Sequence, residues 1–240
     1  MAAARKPRLN LLAFDTSTET LSIAVARAGA EGPLLFEHQS AGGAHASATL
    51  IPALMALLAQ AGLRLAELDA IVFGRGPGSF TGLRTACSVA QGLGFGSGVP
   101  VLAVDTLLAV AEEARARQGV TQVVAALDAR MDEVYWLACE FENGAWQARG
   151  EVALGRPETL AVPPGWALAG NAFAAYGPRL PATAARVDAL PTAAALLRLA
   201  PALLAAGRAG PAVQALPLYI RNKVAQTTQE RAALRAQQAR

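Results

Sequence analysis

Histidine and cysteine are scarce in this 240-residue chain, with two of each: His38 and His45, Cys87 and Cys139. The cysteines stand far apart, each inside an apolar segment, which excludes a disulfide framework and suits buried thiols in a reducing compartment. The histidines are seven residues apart, without one-turn helical spacing or a HExxH arrangement, and no further ligand converges on them in sequence; no metal site is expected. Charge is also sparse. Charged residues make up 16% of the chain and the net charge is +3, too small an excess to mark a nucleic-acid surface unless it is clustered. No apolar run approaches the eighteen or so residues needed to cross a bilayer. Arg5, Lys6 and Arg8 are not followed by an apolar stretch of signal-peptide length, so a cytoplasmic protein with no membrane contact is expected. Ser-His-Asp, Cys-His and paired-carboxylate arrangements are all missing from the spacing.

What is present is a hydrophobic content of 53%, much of it alanine, enough for a globular chain with a substantial core. Leu9–Phe14 reads as a buried strand closed by Asp15. Leu21–Arg27 and Leu34–Gln39 follow through tight connections, which predicts an antiparallel meander. A helix is expected between Ala46 and Gln60, with Pro52 either near its start or bending it. Ala70–Phe73 is a strand running into a glycine-rich turn, Phe80–Gly94 a helix, Val99–Val104 a strand and Leu107–Arg117 a helix. The order then partly repeats. Gln122–Leu127 is a strand closed by Asp128, Glu133–Glu140 a second, Asn143-Gly144 a hairpin turn and Ala145–Leu154 a third strand. Trp166–Ala169 is a short strand ending in Gly170-Asn171, and alanine-rich helical segments begin at Thr192.

A β-β-β-α-β-α unit used twice, each with an acid closing its first strand, predicts an α/β protein with the two-lobed actin/hexokinase/Hsp70-like architecture (the ASKHA fold). The expected lobes are residues 1–107 and 108–240, with a C-terminal helix or tail packing back on the first. In such a fold ligands bind where strand ends and helix starts converge. That places Asp15, Thr16 and Ser17, then Gly76, Gly78 and Ser79, then Asp128, Gly170 and Asn171 at the candidate cleft. Two readings of these residues stand side by side. Asp15 and Asp128 can hold a magnesium ion or a phosphate, with the glycine loop's free N–H groups on an anion. Alternatively the acids cap turns and the glycines serve packing alone, since no Walker lysine or Rossmann spacing is present.

Gly82, Ala86, Ala90 and Gly94 recur every four residues along the second helix. Such a ridge lets another helix approach closely, either from a partner chain or from this protein's own core. Gly92 and Gly94 each cost about 1 kcal/mol relative to alanine within a helix, so something must offset them. From Arg221 to Arg240 there are five basic residues and one acid, a tail that can touch RNA phosphates or stand as a solvated end.

Several segments together resemble the TsaB (YeaZ) family. They are Leu12-Ala13-Phe14-Asp15-Thr16-Ser17-Thr18, His45 before the first helix, Val104-Asp105-Thr106-Leu107, Ala126-Leu127-Asp128-Ala129-Arg130, Gly170-Asn171 and Pro217-Leu218-Tyr219-Ile220-Arg221. The most specific is Gly76-Pro77-Gly78-Ser79-Phe80-Thr81-Gly82-Leu83-Arg84. The resemblance implies a non-catalytic subunit that supports formation of N6-threonylcarbamoyladenosine at position 37 of tRNA. It would do so by forming a heterodimer with TsaD, the catalytic relative, in an assembly joined by the ATPase TsaE; alone it would be a homodimer, and tRNA would be met indirectly. The implied partner surface comprises His45, Leu50, Leu54, Gly82, Ala86, Ala90 and Gly94. TsaD binds a metal through a histidine pair that this chain lacks. No cofactor is required, although ATP or ADP at the cleft or at the complex interface fits the fold. The alternative is a nucleotide-binding ATPase or phosphotransferase of the same fold using Asp15, Asp128 and the glycine loop. A metalloprotease label sometimes given to this superfamily finds no ligand set here.

Overall fold

The computed structural model of the protein describes residues 8–43, 46–183 and 185–221. Strands β1 (Leu11–Asp15), β2 (Thr20–Arg27) and β3 (Leu34–Ala41) form the expected antiparallel meander. β4 (Ala70–Gly76) and β5 (Val101–Asp105) add in parallel on the other side of β1, giving the order β3-β2-β1-β4-β5. Parallel neighbours need a crossover. α1 (Ala46–Ala61) leads into β4, and α2 (Phe80–Ser97) joins β4 to β5.

After α3 (Thr106–Gln118), a second sheet is built from β6 (Gln122–Arg130), β7 (Glu133–Glu142), β8 (Ala145–Ala148), β9 (Ala153–Gly155), β10 (Ala167–Gly170) and β11 (Ala185–Asp188). Its order is β11-β10-β6-β7-β8, with β9 also on β7. With the side strand β9 set aside, both sheets follow one path counted from the first strand of each: third, second, first, fourth, fifth. The chain is therefore a duplicated α/β fold of the actin-like kind. Short α4 (Ala172–Tyr176) and α5 (Ala193–Ala205) complete it.

Side-chain alternation decides the layering. Leu12 and Phe14 of β1, with Ile23 of β2 and Ile71 and Phe73 of β4, point to one face, where α1 and α2 cover them. Leu11, Ala13, Ala24, Ala26 and Ala70 point to the other, and their small size lets α3 and α5 pack closely there. The same central layer receives Val123, Ala125 and Leu127 of β6, so α3 and α5 lie between the sheets. α5, late in the chain, rests on β1, β2 and β4 of the first sheet. Val124, Ala126 and Leu168 face outward under α4 and the following loops.

One local expectation is revised, and two details go beyond what the sequence offers. α1 begins at Ala46 and passes through Pro52; both Pro52 and Ala48, whose carbonyl loses its helical partner, are exposed, so solvent can satisfy that group. The single strand expected over Ala145–Leu154 is two strands, interrupted near Gly150 with φ +123°. β11 escapes detection because only Val187 of its four residues is buried, which leaves no alternation to read.

Candidate functional site

The carboxyl ends of β1, β4, β6 and β10 converge on a cleft of about 330 Å³ between the lobes, where ligands settle in sheets of this kind. Ser17, Gly78, Ser79, Asp128 and Asn171 line it, as the sequence predicts. Asp15, Thr16, Gly76 and Gly170 are correctly placed at the strand ends but sit behind the wall, sealed in the protein.

Asp15 is fully buried. Its Oδ1 accepts hydrogen bonds from the Ser17 N–H (2.8 Å) and hydroxyl (2.6 Å). Its Oδ2 has no hydrogen-bond partner among the described residues. Burial pushes the carboxyl up to about 6, against the two Ser17 hydrogen bonds that favour its charged form. The carboxyl that the sequence assigns to the cleft is therefore held in the interior, with Gly74 packed directly on its Oδ2.

The glycines have the packing explanation. Thr16 Oγ1 donates to the Gly82 carbonyl at 2.7 Å, and the Ser79 N–H donates to the Ser17 carbonyl at 2.7 Å. A β-carbon on Gly82 would stand 1.9 Å from the Thr16 oxygen, and one on Gly78 would stand 2.5 Å from the Ser17 oxygen. The Asp15-Thr16-Ser17 turn therefore lies flush on the start of α2, and residues with side chains do not fit there. Ser79 caps that helix by accepting from the Gly82 N–H. Gly170 likewise abuts the Ala126 carbonyl at φ +141°.

In the second lobe Asp128 Oδ1 accepts from the Arg130 N–H (2.7 Å) and the Tyr176 hydroxyl (2.9 Å), while Oδ2 pairs with the Arg130 guanidinium at 3.1 Å. Burial and the bond to Asp128 push the Tyr176 hydroxyl up to about 12. Asn171 Oδ1 accepts from the Asp128 N–H at 2.9 Å, which ties β10 to β6. Arg130 also reaches Glu19 of the other lobe at 2.8 Å, and Arg221 pairs with Glu133. The two arginines lining the cleft are thus neutralised by carboxylates. Asp15 is thus buried behind the cleft wall, and Asp128, which lines the cleft, is held by Arg130 and Tyr176. No group of three or more His, Cys, Asp or Glu converges among the described residues, and none of the described helices is long and apolar enough to cross a membrane.

The expected partner ridge is corrected more sharply. Leu50, Leu54, Ala86 and Ala90 are fully buried, and Gly82 and Gly94 are buried with them. These residues pack beneath α1 and α2 onto the chain's own sheet. Gly94 is small because Ala212 and Val101 press on it, 2.9 and 3.0 Å from where a β-carbon would stand. His45 lies outside the described residues. The outward faces of the two helices carry a different set: Ile51 (47% exposed), Met55 (46%) and Phe95 (68%). On α2, Gly92 and Gly96 have nothing within 4 Å of an added β-carbon. In sequence, Ser88, Gly92 and Gly96 form a second row at four-residue steps beside the row of Gly82, Ala86, Ala90 and Gly94, and periodicity alone does not separate the two.

The family model described as TsaD, tRNA N6-adenosine threonylcarbamoyltransferase, matches residues 37–237. A tRNA threonylcarbamoyladenosine biosynthesis protein TsaB of Escherichia coli K12 is 33% identical over 228 residues, covering 90% of this chain and 96% of its own length. YeaZ from Pseudomonas aeruginosa superposes with a TM-score of 0.81 at 42% identity, covering 88% of this chain and all of that one. A second structure, described as an uncharacterized protein with similarity to peptidase YeaZ from Pseudomonas aeruginosa, also gives 0.81 and 42%, with 89% of this chain covered.

Proposed function

We propose, given that this chain belongs to the TsaB (YeaZ) family of tRNA threonylcarbamoyladenosine biosynthesis proteins, that it is the non-catalytic partner subunit of that synthesis. It pairs with TsaD through the outward faces of α1 and α2, and TsaE joins the pair. The transferase chemistry on tRNA belongs to TsaD, and this chain needs no nucleotide of its own.

One observation carries the reading. Gly92 and Gly96 weaken α2 by about 1 kcal/mol each relative to alanine, and nothing in the protein's own packing calls for them. Glycines with open space above them, on a helix that also exposes Phe95 and beside α1 with its exposed Ile51 and Met55, suit close approach by another helix. The match to the TsaD family model supports a related partner that offers a similar helical layer, so that two like surfaces meet about a pseudo-two-fold axis. A second copy of this chain competes for the same face, which accounts for a homodimer when TsaD is missing. The engaged carboxylate of Asp128 in the cleft and the burial of Asp15 behind it support the non-catalytic part.

Mixing the chain with purified TsaD and weighing the species by light scattering tests this. A heterodimer is expected from the wild type, and Ile51→Glu or Phe95→Asp should abolish it while leaving the circular dichroism unchanged. Undiminished complex formation by both variants would sink the reading. So would threonylcarbamoylation of tRNA by this chain alone.

A further inference from the structure

Residues 217–221 leave the first lobe and end on the second. The Leu218 N–H donates to the Arg75 carbonyl at 2.7 Å, and the Leu218 oxygen stands 2.9 Å from where a β-carbon on Gly76 would be. The segment therefore lies flush on the end of β4. The Tyr219 ring stacks on Phe80 with centroids 5.3 Å apart, and its hydroxyl accepts from Arg84 Nε at 3.1 Å. Two residues later the chain has crossed the cleft. Arg221 Nη2 donates to the Ala129 carbonyl at 3.1 Å and to the Glu133 carboxylate, and Nη1 meets Met131 Sδ at 3.2 Å.

The turn that Arg221 grips is itself unusual. Arg130, Met131 and Asp132 have φ values of +59°, +56° and +66° in succession, a region that residues with side chains enter only when their surroundings hold them. Glu19 of the first lobe holds the same turn through Arg130. Both ties across the cleft thus end on one strained loop.

We infer that residues 217–221 are a clasp that fastens the two lobes across the mouth of the cleft, so that a nucleotide-sized ligand enters only after Arg221 lets go. Leu218, Tyr219 and Ile220 already form one wall of the cleft. What remains, about 330 Å³, is near the lower end of the ~300–1,000 Å³ typical of ligand pockets. The one cation the clasp brings is engaged by Glu133 rather than turned toward a phosphate. The clasp therefore narrows the cleft at the place where the strand ends converge. This inference does not depend on which partner α1 and α2 meet.

Hydrogen exchange on the full chain tests it. In Arg221→Ala, amides of residues 129–133 and of Leu218 are expected to exchange at least about tenfold faster, with those of β1 and β4 within about twofold of wild type. Arg221→Lys keeps the charge but cannot span Ala129, Met131 and Glu133 together, and should show a smaller rise at the same amides. In a Thr18→Cys background, where Cys87 and Cys139 stay buried, Arg221→Ala should also speed labelling of the new thiol by a bulky maleimide. Unchanged exchange at 129–133 in both variants overturns the clasp, as does an equal rise throughout both sheets. Equal labelling rates with and without Arg221 overturn its gating of the cleft.

Discussion

The Asp15 carboxylate is packed so tightly against Gly74 that a β-carbon at position 74 would stand 1.8 Å from Oδ2. That contact links the acid closing β1 to the strand beside it, and it explains why a residue that resembles a ligand behaves as core. It also sets a pH dependence. The folded-state value is raised from 3.8 to about 6 by burial. The folded chain therefore holds this proton more tightly than the unfolded chain does. The resulting stability is fully present below the unfolded value and is lost as pH rises through about 6.

The size of that loss is about 3 kcal/mol, from roughly two units at 1.4 kcal/mol each. Asp15→Asn keeps an oxygen for the Ser17 donors and removes the charge. Urea unfolding of both proteins is expected to show the variant gaining about 3 kcal/mol on wild type between pH 4 and pH 8. A difference independent of pH would mean that the acid ionises in place at no cost.

Two glycines on α2 should respond in opposite directions. Gly82→Ala forces a β-carbon against the Thr16 carbonyl, which is backbone and cannot rotate away; a loss of about 1–3 kcal/mol is expected. Gly92→Ala meets nothing and should stabilise the isolated chain by roughly 0.5–1 kcal/mol through helix propensity. The same substitution is expected to weaken capture by TsaD. Thermal melting and a pull-down on one protein preparation read both effects.

The sequence announces the fold more clearly than it announces the surface. Alternation at Leu21, Ile23 and Val25, and acids closing β1 and β6, suffice for the duplicated sheets, because a strand buried on one face has to repeat every second residue. The cleft's position follows from the strand ends. The outward face of α2 was not legible, since Gly82, Ala86, Ala90 and Gly94 form one ridge of small residues and Ser88, Gly92 and Gly96 form another. Composition alone does not say which ridge meets the sheet. Contacts from distant Val101 and Ala212 decide that. The route of residues 217–221 was equally hidden, because a segment without periodic structure carries no register.

Cys87 and Cys139 should be silent in the native protein. Burial pushes the first thiol up to about 11 and the second to about 12, so the reactive thiolate is a small fraction at pH 8. Labelling by a disulfide reagent at that pH is expected to follow the opening rate of the fold rather than reagent concentration. Rapid reaction of either thiol without denaturant would contradict their placement in the core.

A last prediction concerns the one carboxylate held at the meeting of α3, α5 and the second sheet. Glu112 is 2% exposed. Its oxygens accept from Arg115 Nε and Nη2 at 2.9 Å each, from Arg198 Nε at 3.0 Å and from the Trp146 indole N–H at 3.0 Å. One acid thus satisfies donors from α3, α5 and β8; its removal leaves the buried Trp146 indole N–H unpaired, while Arg115 and Arg198 keep about a third of their side-chain surface in solvent and Arg198 keeps Glu113. Glu112→Ala is expected to cost about 2–3 kcal/mol, the range for losing hydrogen bonds to a charged group and leaving one buried donor unpaired. Trp146→Phe removes only the indole bond and a little area, for about 1–2 kcal/mol. If Glu112 is the hub, the Trp146→Phe loss should nearly vanish in the Glu112→Ala background, because the indole then has no acceptor to lose. Equal losses in the two backgrounds, measured by urea unfolding, would show that Trp146 contributes by packing alone.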